Sequence, residues 1–263
     1  MNKKIAFFDI DGTLLNHQKE LPVETIQVIK ELQKSGVYCA IATGRAPFMF
    51  KDIRETLNIE SYVSFNGQYV VFEGRPVYKN PLSIDHLKIL FSEAQKNNHP
   101  MVFMNHEEMK ASHSEQHYIN ESLGSLHFSY PEIDSTFYNK TDLYQSLLFC
   151  EGDEIEEYRK LNLDFDYIRW HQFSCDVLPK GGSKAEGIKQ MIESAGVALE
   201  DTYAFGDGLN DIEMIREAGT GVAMGNAVPE TKAVSDYVTA DVNEGGLVKA
   251  IKELGLLDNE YIK

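Results

Sequence analysis

Ile5-Ala6-Phe7-Phe8-Asp9-Ile10-Asp11-Gly12-Thr13 decides how this chain is read. An apolar run ends abruptly in two carboxylates one residue apart. A short apolar run closed by a turn signal predicts a buried strand over Ile5–Ile10. Residues i and i+2 of a strand share a side, so Asp9 and Asp11 are expected to start on the same one. Gly12 then lets the chain turn away. Two acids at the end of a buried strand are costly unless a cation compensates them. A hard divalent cation with oxygen ligands is the simplest compensator. One carboxylate could then attack an electrophile while the other handles a proton.

Outward from this point, strand-like and helix-like stretches alternate. Pro22–Lys34 is predicted helical, with Val23, Ile26, Ile29 and Leu32 near helical spacing and Gly36 as its stop. Val37–Ala42 is a second apolar strand. Together these make a βαβ unit with parallel strands and a right-handed crossover. A helix is expected over Pro47–Leu57, and a hairpin at Glu73-Gly74 between Tyr69–Phe72 and Arg75–Tyr78. The last third resumes the alternation. Ser183-Lys184-Ala185-Glu186 has the pattern of a capping box, so a helix should run from Ser183 to about Ala195, before Gly196. Thr202–Phe205 reads as a strand and Asn210–Ala218 as a helix. Gly221–Met224 and Tyr237–Val238 are short apolar runs, and Gly246–Leu254 is a final helix. Both ends therefore read as parts of one doubly wound α/β domain. The middle differs. It reads as helices Ile84–Lys96, Glu115–Leu123 and Asp153–Leu161 among strands Met101–Met104, Gln145–Phe149, Tyr167–His171 and Cys175–Leu178. The expected division is residues 1–80 and 183–263 for the α/β domain, with an α+β insert at 81–182.

The 263 residues carry 41 acidic against 25 basic side chains, a formal net charge of −16. That balance argues against nucleic-acid or anionic-membrane binding, which needs a basic surface. A small anionic substrate remains compatible with a locally positive site. Cys39, Cys150 and Cys175 are scattered and form no CxxC pair, which suggests core thiols in a reducing compartment. Asp9 interrupts the first apolar run too early for a signal peptide, and no run is long enough to span a bilayer. A cytoplasmic protein is the expectation.

Four separated motifs complete the pattern: Asp9-Ile10-Asp11-Gly12-Thr13, Ile41-Ala42-Thr43-Gly44-Arg45, Lys184 just past the N-cap Ser183, and Phe205-Gly206-Asp207-Gly208-Leu209-Asn210-Asp211. A hydroxyl and free N–H groups at a strand end can hold phosphate oxygens. An ammonium at a helix start adds to the positive potential of the helix dipole. The glycines of the fourth motif allow close backbone approach. That motif lacks the every-other-residue acids and distal Glu of a calcium-binding EF-hand loop. In this order the motifs resemble the haloacid dehalogenase (HAD) superfamily of phosphotransferases, and within it the Cof-type phosphatases with a C2 cap.

The resemblance implies a Rossmann-like HAD core with a mostly parallel sheet and a C2-type cap. It implies that Asp9 is the nucleophile that becomes an aspartyl-phosphate, and that Asp11 is general acid, then base. Thr43 would hold the transferring phosphoryl group, and Lys184 would neutralise it. Gly44, Arg45, Asn66 and Asn210 would contact phosphate or substrate. Mg²⁺ would be held by Asp9, Asp11 and Asp207, with Asp211 orienting waters or Lys184. Met224-Gly225-Asn226-Ala227 also fits the family pattern and reads as support for the metal loop. Substrate contacts would come from the cap, with Arg169, Trp170, His171, His113 and Tyr118 as candidates.

Spacing sharpens this. Only a loop and one helix fit between Asp9 and Thr43, which disfavours relatives capped at that point, such as β-phosphoglucomutase. The stretch from Thr43 to Lys184 has ample room for a domain of about 100 residues. A cap over the strand ends would exclude water and select substrates. Asp11 stands where ion-pumping relatives have Thr, and no membrane helices accompany it. Receiver domains of two-component signalling lack this motif order and the insert. The expected function is a Mg²⁺-dependent phosphomonoester hydrolase acting on sugar phosphates, pyridoxal phosphate or flavin-precursor phosphates, as a monomer or homodimer. The alternatives are a phosphotransferase or mutase using the same intermediate, or a metabolite-phosphate sensor without turnover.

Overall fold

The structure, a computed structural model, describes residues 3–257. The chain divides into two compact units. One comprises residues 3–45, Met49–Tyr78 and 183–257, and the other Ala46–Phe48 and Lys79–Gly182.

The first unit begins with β1 (Ile5–Phe8), α1 (Val23–Lys34), β2 (Tyr38–Ala42), α2 (Lys51–Leu57), β3 (Ser61–Ser64), β4 (Tyr69–Phe72) and β5 (Arg75–Lys79). The second unit follows with α3 (Ile84–Lys96), β6 (Met101–Met104), β7 (Met109–Ala111), α4 (His117–Ser125), β8 (Gln145–Phe149), α5 (Ile155–Arg159), β9 (Phe165–His171) and β10 (Ser174–Pro179). The chain then returns to the first unit with α6 (Lys184–Ala195), β11 (Thr202–Gly206), α7 (Ile212–Glu217), β12 (Thr220–Ala223), α8 (Pro229–Lys232), β13 (Tyr237–Val238) and α9 (Gly246–Glu253).

In the first unit the strand order is β13-β12-β11-β1-β2-β3-β4-β5. The run from β13 to β3 is parallel, and β4 turns back antiparallel on β3. All four residues of β1 are fully buried, as expected for a central parallel strand covered on both faces. The predicted hairpin is present, with Glu73 and Gly74 both at positive φ. Register places the functional ends. Phe8 pairs with both Phe205 and Ile41, so β1, β11 and β2 finish at one level. Beneath that level the rings of Phe8 and Phe205 stack with centroids 5.1 Å apart.

Two expectations are corrected here. The buried stripe of α1 is Thr25, Val28, Ile29 and Leu32, while Val23 is 66% exposed. Those four positions follow i, i+3, i+4, i+7, so helix geometry admits a small polar threonine and leaves the terminal valine outside. Pro47–Leu57 is not one helix. Pro47–Phe50 is a 3₁₀ turn, and the α-helix starts at Lys51.

The second unit holds an antiparallel sheet in the order β7-β6-β8-β10-β9. Its core packs Leu87, Leu90 and Phe91 of α3 with Met101, Phe103, Leu148 and Val177 of the sheet. Three of its predicted elements, Ile84–Lys96, Met101–Met104 and Gln145–Phe149, match the observed bounds. Strand β7 was not foreseen, because Met109-Lys110-Ala111 is too short for alternation to register. No described helix is long and apolar enough to cross a membrane.

Candidate active site

Three strand ends of the first unit supply the site. Asp9 directly follows β1, and its N–H donates to Phe205 O at 3.0 Å. Thr43 follows β2, with its N–H on Val63 O at 2.8 Å. Asp207 follows β11. The fourth contribution is Lys184 at the first position of α6, whose cap is Ser183 Oγ accepting from Glu186 N–H at 3.4 Å.

Lys184 is the electrostatic centre. Its Nζ donates to Asp9 Oδ1 at 2.5 Å and to Asp211 Oδ1 at 2.6 Å, and its side chain is fully buried. The other Asp211 oxygen accepts from the backbone N–H of Asp207 at 2.9 Å and of Gly208 at 2.8 Å. Asp211 therefore ties the lysine to the loop that carries Asp207. Burial disfavours the ammonium, but Asp211 and Asp9 outweigh it and hold Lys184 above the ordinary lysine range. Burial pushes the Asp9 carboxyl up to about 7, with Lys184 opposing and Asp211 and Asp207 adding to the rise. Asp207 is lifted to about 6, first by burial and then by the Asp211 charge.

Oxygen atoms of Asp9, Asp207 and Asp211 lie within 4.8 Å of one another. Three carboxylates face one ammonium, so the group is short of positive charge. Hard oxygen donors with an excess of negative charge suit a divalent cation, and these residues could hold one. The loops are shaped around the group. Gly12 lies at φ +76°, and a Cβ there would meet Asp207 Oδ2 at 2.3 Å. Thr13 Oγ donates to Asp207 Oδ1 at 3.3 Å. Asn226 Nδ2 donates to Asp207 Oδ2 at 3.2 Å and to Gly12 O at 2.9 Å.

Asp11 has its own set of partners. Strand β1 stops at Phe8, and Leu14 and Leu15 N–H groups both bond Ile10 O, so Asp11 lies in a coiled segment beyond the strand. Asp11 is outside the Asp9–Asp207–Asp211 group. Its Oδ2 accepts from Arg45 Nε at 3.0 Å, and its Oδ1 from Arg45 Nη2 at 2.7 Å and Lys19 Nζ at 2.6 Å. Burial would raise this carboxyl, but the two cations outweigh it and hold Asp11 below the usual carboxylate range.

The remaining candidates gather on the β2 and β3 loops. Thr43 Oγ1 accepts from Arg45 N–H at 3.1 Å. Asn66 sits at φ +51°, and its N–H bonds Thr43 O at 3.1 Å. A Cβ on Gly44 would meet the Asn66 carboxamide at 3.0 Å, so the glycine admits that amide. Asn210 Nδ2 donates to Asn66 Oδ1 at 3.4 Å. Gly67 and Gly187 meet where α6 begins. A Cβ on Gly67 would meet Ser183 O at 2.1 Å, and one on Gly187 would meet Gly67 Cα at 2.8 Å.

Several aromatic and basic candidates of the insert are spent on structure within the second unit. Arg169 Nη1 donates to the carbonyls of Cys150 at 3.0 Å and Gln172 at 2.8 Å, and its Nη2 to Gly152 O at 3.0 Å. Tyr118 stacks on Phe173 at 4.4 Å between centroids and donates to Glu151. His171 Nδ1 pairs with Ser122 Oγ at 3.0 Å, and His113 Nδ1 with Ser112 Oγ at 2.7 Å. Lys19 was missed by sequence reasoning. Its segment, Asn16-His17-Gln18-Lys19-Glu20, is polar and aperiodic, with nothing to single out one lysine.

Known proteins resemble this chain over nearly its whole length. Residues 6–251 match the model of the haloacid dehalogenase-like hydrolase family. YkrA of Bacillus subtilis (strain 168) is 50% identical over 98% of this chain and 100% of its own length. The 5-amino-6-(5-phospho-D-ribitylamino)uracil phosphatase YcsE of the same organism is 30% identical, covering 95% of this chain and 94% of its own. Among solved structures, the HAD subclass IIB sugar phosphatase BT4131 superposes with a TM-score of 0.81 at 30% identity, covering 97% of this chain and 100% of that one. The chain belongs to the haloacid dehalogenase-like hydrolase family, and it is a phosphatase of the Cof type.

Proposed function

We propose that this protein is a Mg²⁺-dependent phosphomonoesterase working through an aspartyl-phosphate on Asp9. The observation that carries the reading is the convergence of Asp9, Asp207 and Asp211 on one buried ammonium at the ends of adjacent strands. Asp9 and Asp207, with Asp211 behind them, would hold Mg²⁺; when bound, it would neutralise charge on the phosphoryl oxygens.

The chain's own residues do the rest. A carboxylate oxygen of Asp9 bonds phosphorus as the bond to the leaving oxygen breaks, and that oxygen takes a proton from the Asp11 carboxyl. Lys184 holds the nucleophile and offsets developing charge. The Thr43 hydroxyl, the amides of the following turn, Asn66 and Asn210 hold phosphoryl oxygens, with Gly44 leaving room. In the second half water attacks phosphorus, its proton passes to Asp11, and Asp9 recovers its carboxylate. The second unit serves as the C2-type cap that selects the leaving group. Sugar phosphates and ribitylaminouracil-type flavin-precursor phosphates are the substrate classes to try first, since BT4131 is a sugar phosphatase and YcsE a 5-amino-6-(5-phospho-D-ribitylamino)uracil phosphatase; pyridoxal phosphate, the class the family resemblance adds, comes next.

A phosphate-release screen over these classes, with Mg²⁺ or with a chelator, tests the proposal. Expected is Mg²⁺-dependent release abolished in Asp9→Asn. No turnover of any phosphomonoester, or full activity in Asp9→Asn, would sink it. Transfer to an added sugar in place of water would favour the mutase alternative.

A further inference from the structure

Lys19 is a solvent-facing lysine that nonetheless reaches a carboxylate of the site. Its side chain is 59% exposed, yet its Nζ reaches Asp11 Oδ1 at 2.6 Å. An exposed ion pair adds little to stability, so stability does not account for the arrangement. The backbone around it is over-determined. Lys19 itself lies at φ +63°, a left-handed conformation that a side chain disfavours. Asn16 Oδ1 accepts from Gln18 N–H at 3.0 Å and from Glu20 N–H at 2.9 Å, and Lys19 N–H bonds Asn16 O at 3.0 Å. His17 anchors the loop from outside, with its N–H on Asn243 Oδ1 at 3.2 Å and its ring on Asp241 at 3.1 Å. A strained residue fixed by its surroundings is a pointer to function.

What the loop delivers is a third donor to one carboxylate. Arg45 already forks across both Asp11 oxygens. That fork alone still allows the carboxylate and guanidinium to swing as a pair, since Arg45 is itself 28% exposed. Lys19 approaches from a separate loop and fixes the pair's orientation. Three N–H donors from two loops thus fix where the Asp11 oxygens lie.

We propose that Lys19 is a positioning residue that, with Arg45, orients the Asp11 carboxylate for the hydrolytic half of the reaction. The proposal rests on the aspartyl-phosphate reading above. In that half the water oxygen bonds phosphorus, the bond from phosphorus to Asp9 breaks with its electron pair returning to Asp9, and the water proton goes to Asp11.

The test separates the two half-reactions with an activated aryl phosphate such as p-nitrophenyl phosphate, whose leaving group needs little protonation. In Lys19→Met, phosphoenzyme breakdown slows. Expected are kcat and KM falling together about five- to twentyfold, kcat/KM nearly unchanged, and more phosphorylated enzyme in acid-quenched samples. Lys19→Arg should restore most of the rate. Asn16→Ala, which loosens the loop and keeps the lysine, should shift kcat and KM in the same sense by less. Thermal melting checks that each variant folds. The proposal is overturned if Lys19→Met breaks down its phosphoenzyme at the wild-type rate while Asp11→Asn does not. It is also overturned if kcat and kcat/KM fall equally without phosphoenzyme accumulating, or if Lys19→Arg is as impaired as Lys19→Met. Should Asp11→Asn itself break down phosphoenzyme normally, the role assigned to Asp11 fails, and the role of Lys19 with it. Absence of any phosphoenzyme in the wild type would instead fault the underlying mechanism.

Discussion

Asp9 and Asp176 make an instructive pair, one in each unit. Both carboxyls are pushed up to about 7, and burial is the largest cause for both. Their company differs. Asp9 faces a buried ammonium and two further carboxylates. Asp176, in the middle of β10, accepts from the Gln145 amide at 2.9 Å. A perturbed acid therefore marks burial first. It marks chemistry only where charged partners of both signs converge on it.

Replacing each by its isosteric amide gives the largest contrast. Asp9→Asn should lower turnover by about a thousandfold or more, since it removes the reacting atom. Asp176→Asn should keep turnover of an activated aryl phosphate within about tenfold, because an amide mimics the neutral acid. Equal losses in the two variants would break the contrast.

The next largest effect compares two lysines, each bridging two carboxylates at similar distances. Lys184 is fully buried with its partners at 2.5 and 2.6 Å. Lys110 of the second unit has partners at 2.5 and 2.7 Å, but the Glu132 side chain is 84% exposed. Lys184→Met should cost metal-free protein about 3–5 kcal/mol, because it strands buried carboxylates. Lys110→Met should leave the denaturation midpoint nearly unchanged. Urea titration of both variants decides the matter.

The pH response is smaller. Asp9 and Asp207 titrate near 7 and 6 in the fold, against 3.8 as the ordinary value. Acids raised in this way lend their stability fully below about pH 4 and lose it as pH climbs through 6 and 7. The metal-free wild type should therefore lose melting temperature relative to Asp9→Asn over that interval. Mg²⁺ should recover it near pH 8 and do little at pH 5, where protons compete for the ligands. A cation at a hundred times its Kd adds about 2.7 kcal/mol, which is roughly 5–10 °C in a chain of this size. A Mg²⁺ increment equal at both pH values would count against the carboxylate cage. The smallest change expected is Tyr118→Phe in the second unit. It keeps the stack on Phe173, loses only an exposed bond to Glu151, and should leave melting and turnover within error.

These contrasts follow how far the site was legible before the fold was known. Asp9, Thr43, Lys184 and Asp207 stand at the ends or starts of strongly patterned elements, and parallel register brings such ends together. The Arg45 and Lys19 partners of Asp11 were not legible, because past Phe8 the chain leaves the strand and local hydrogen bonding takes over. Lys19 was invisible because its role depends on a loop held by residues more than two hundred positions away, Asp241 and Asn243. In the second unit, α3 was legible from its cap and apolar spacing. Arg169 was not, because the carbonyls it satisfies come from chain turns without a sequence signature.

The bare meeting of Gly67 and Gly187 has one more consequence. Main chain rests on main chain there, so the height of the Lys184 ammonium above the strand ends is set by atoms that every residue shares. Whatever evolution inserts between those glycines can be lengthened, trimmed or rebuilt for new leaving groups while the ammonium keeps its place. A Cβ at either glycine would lift the helix start and carry the charge with it, detuning every reaction the scaffold hosts at once.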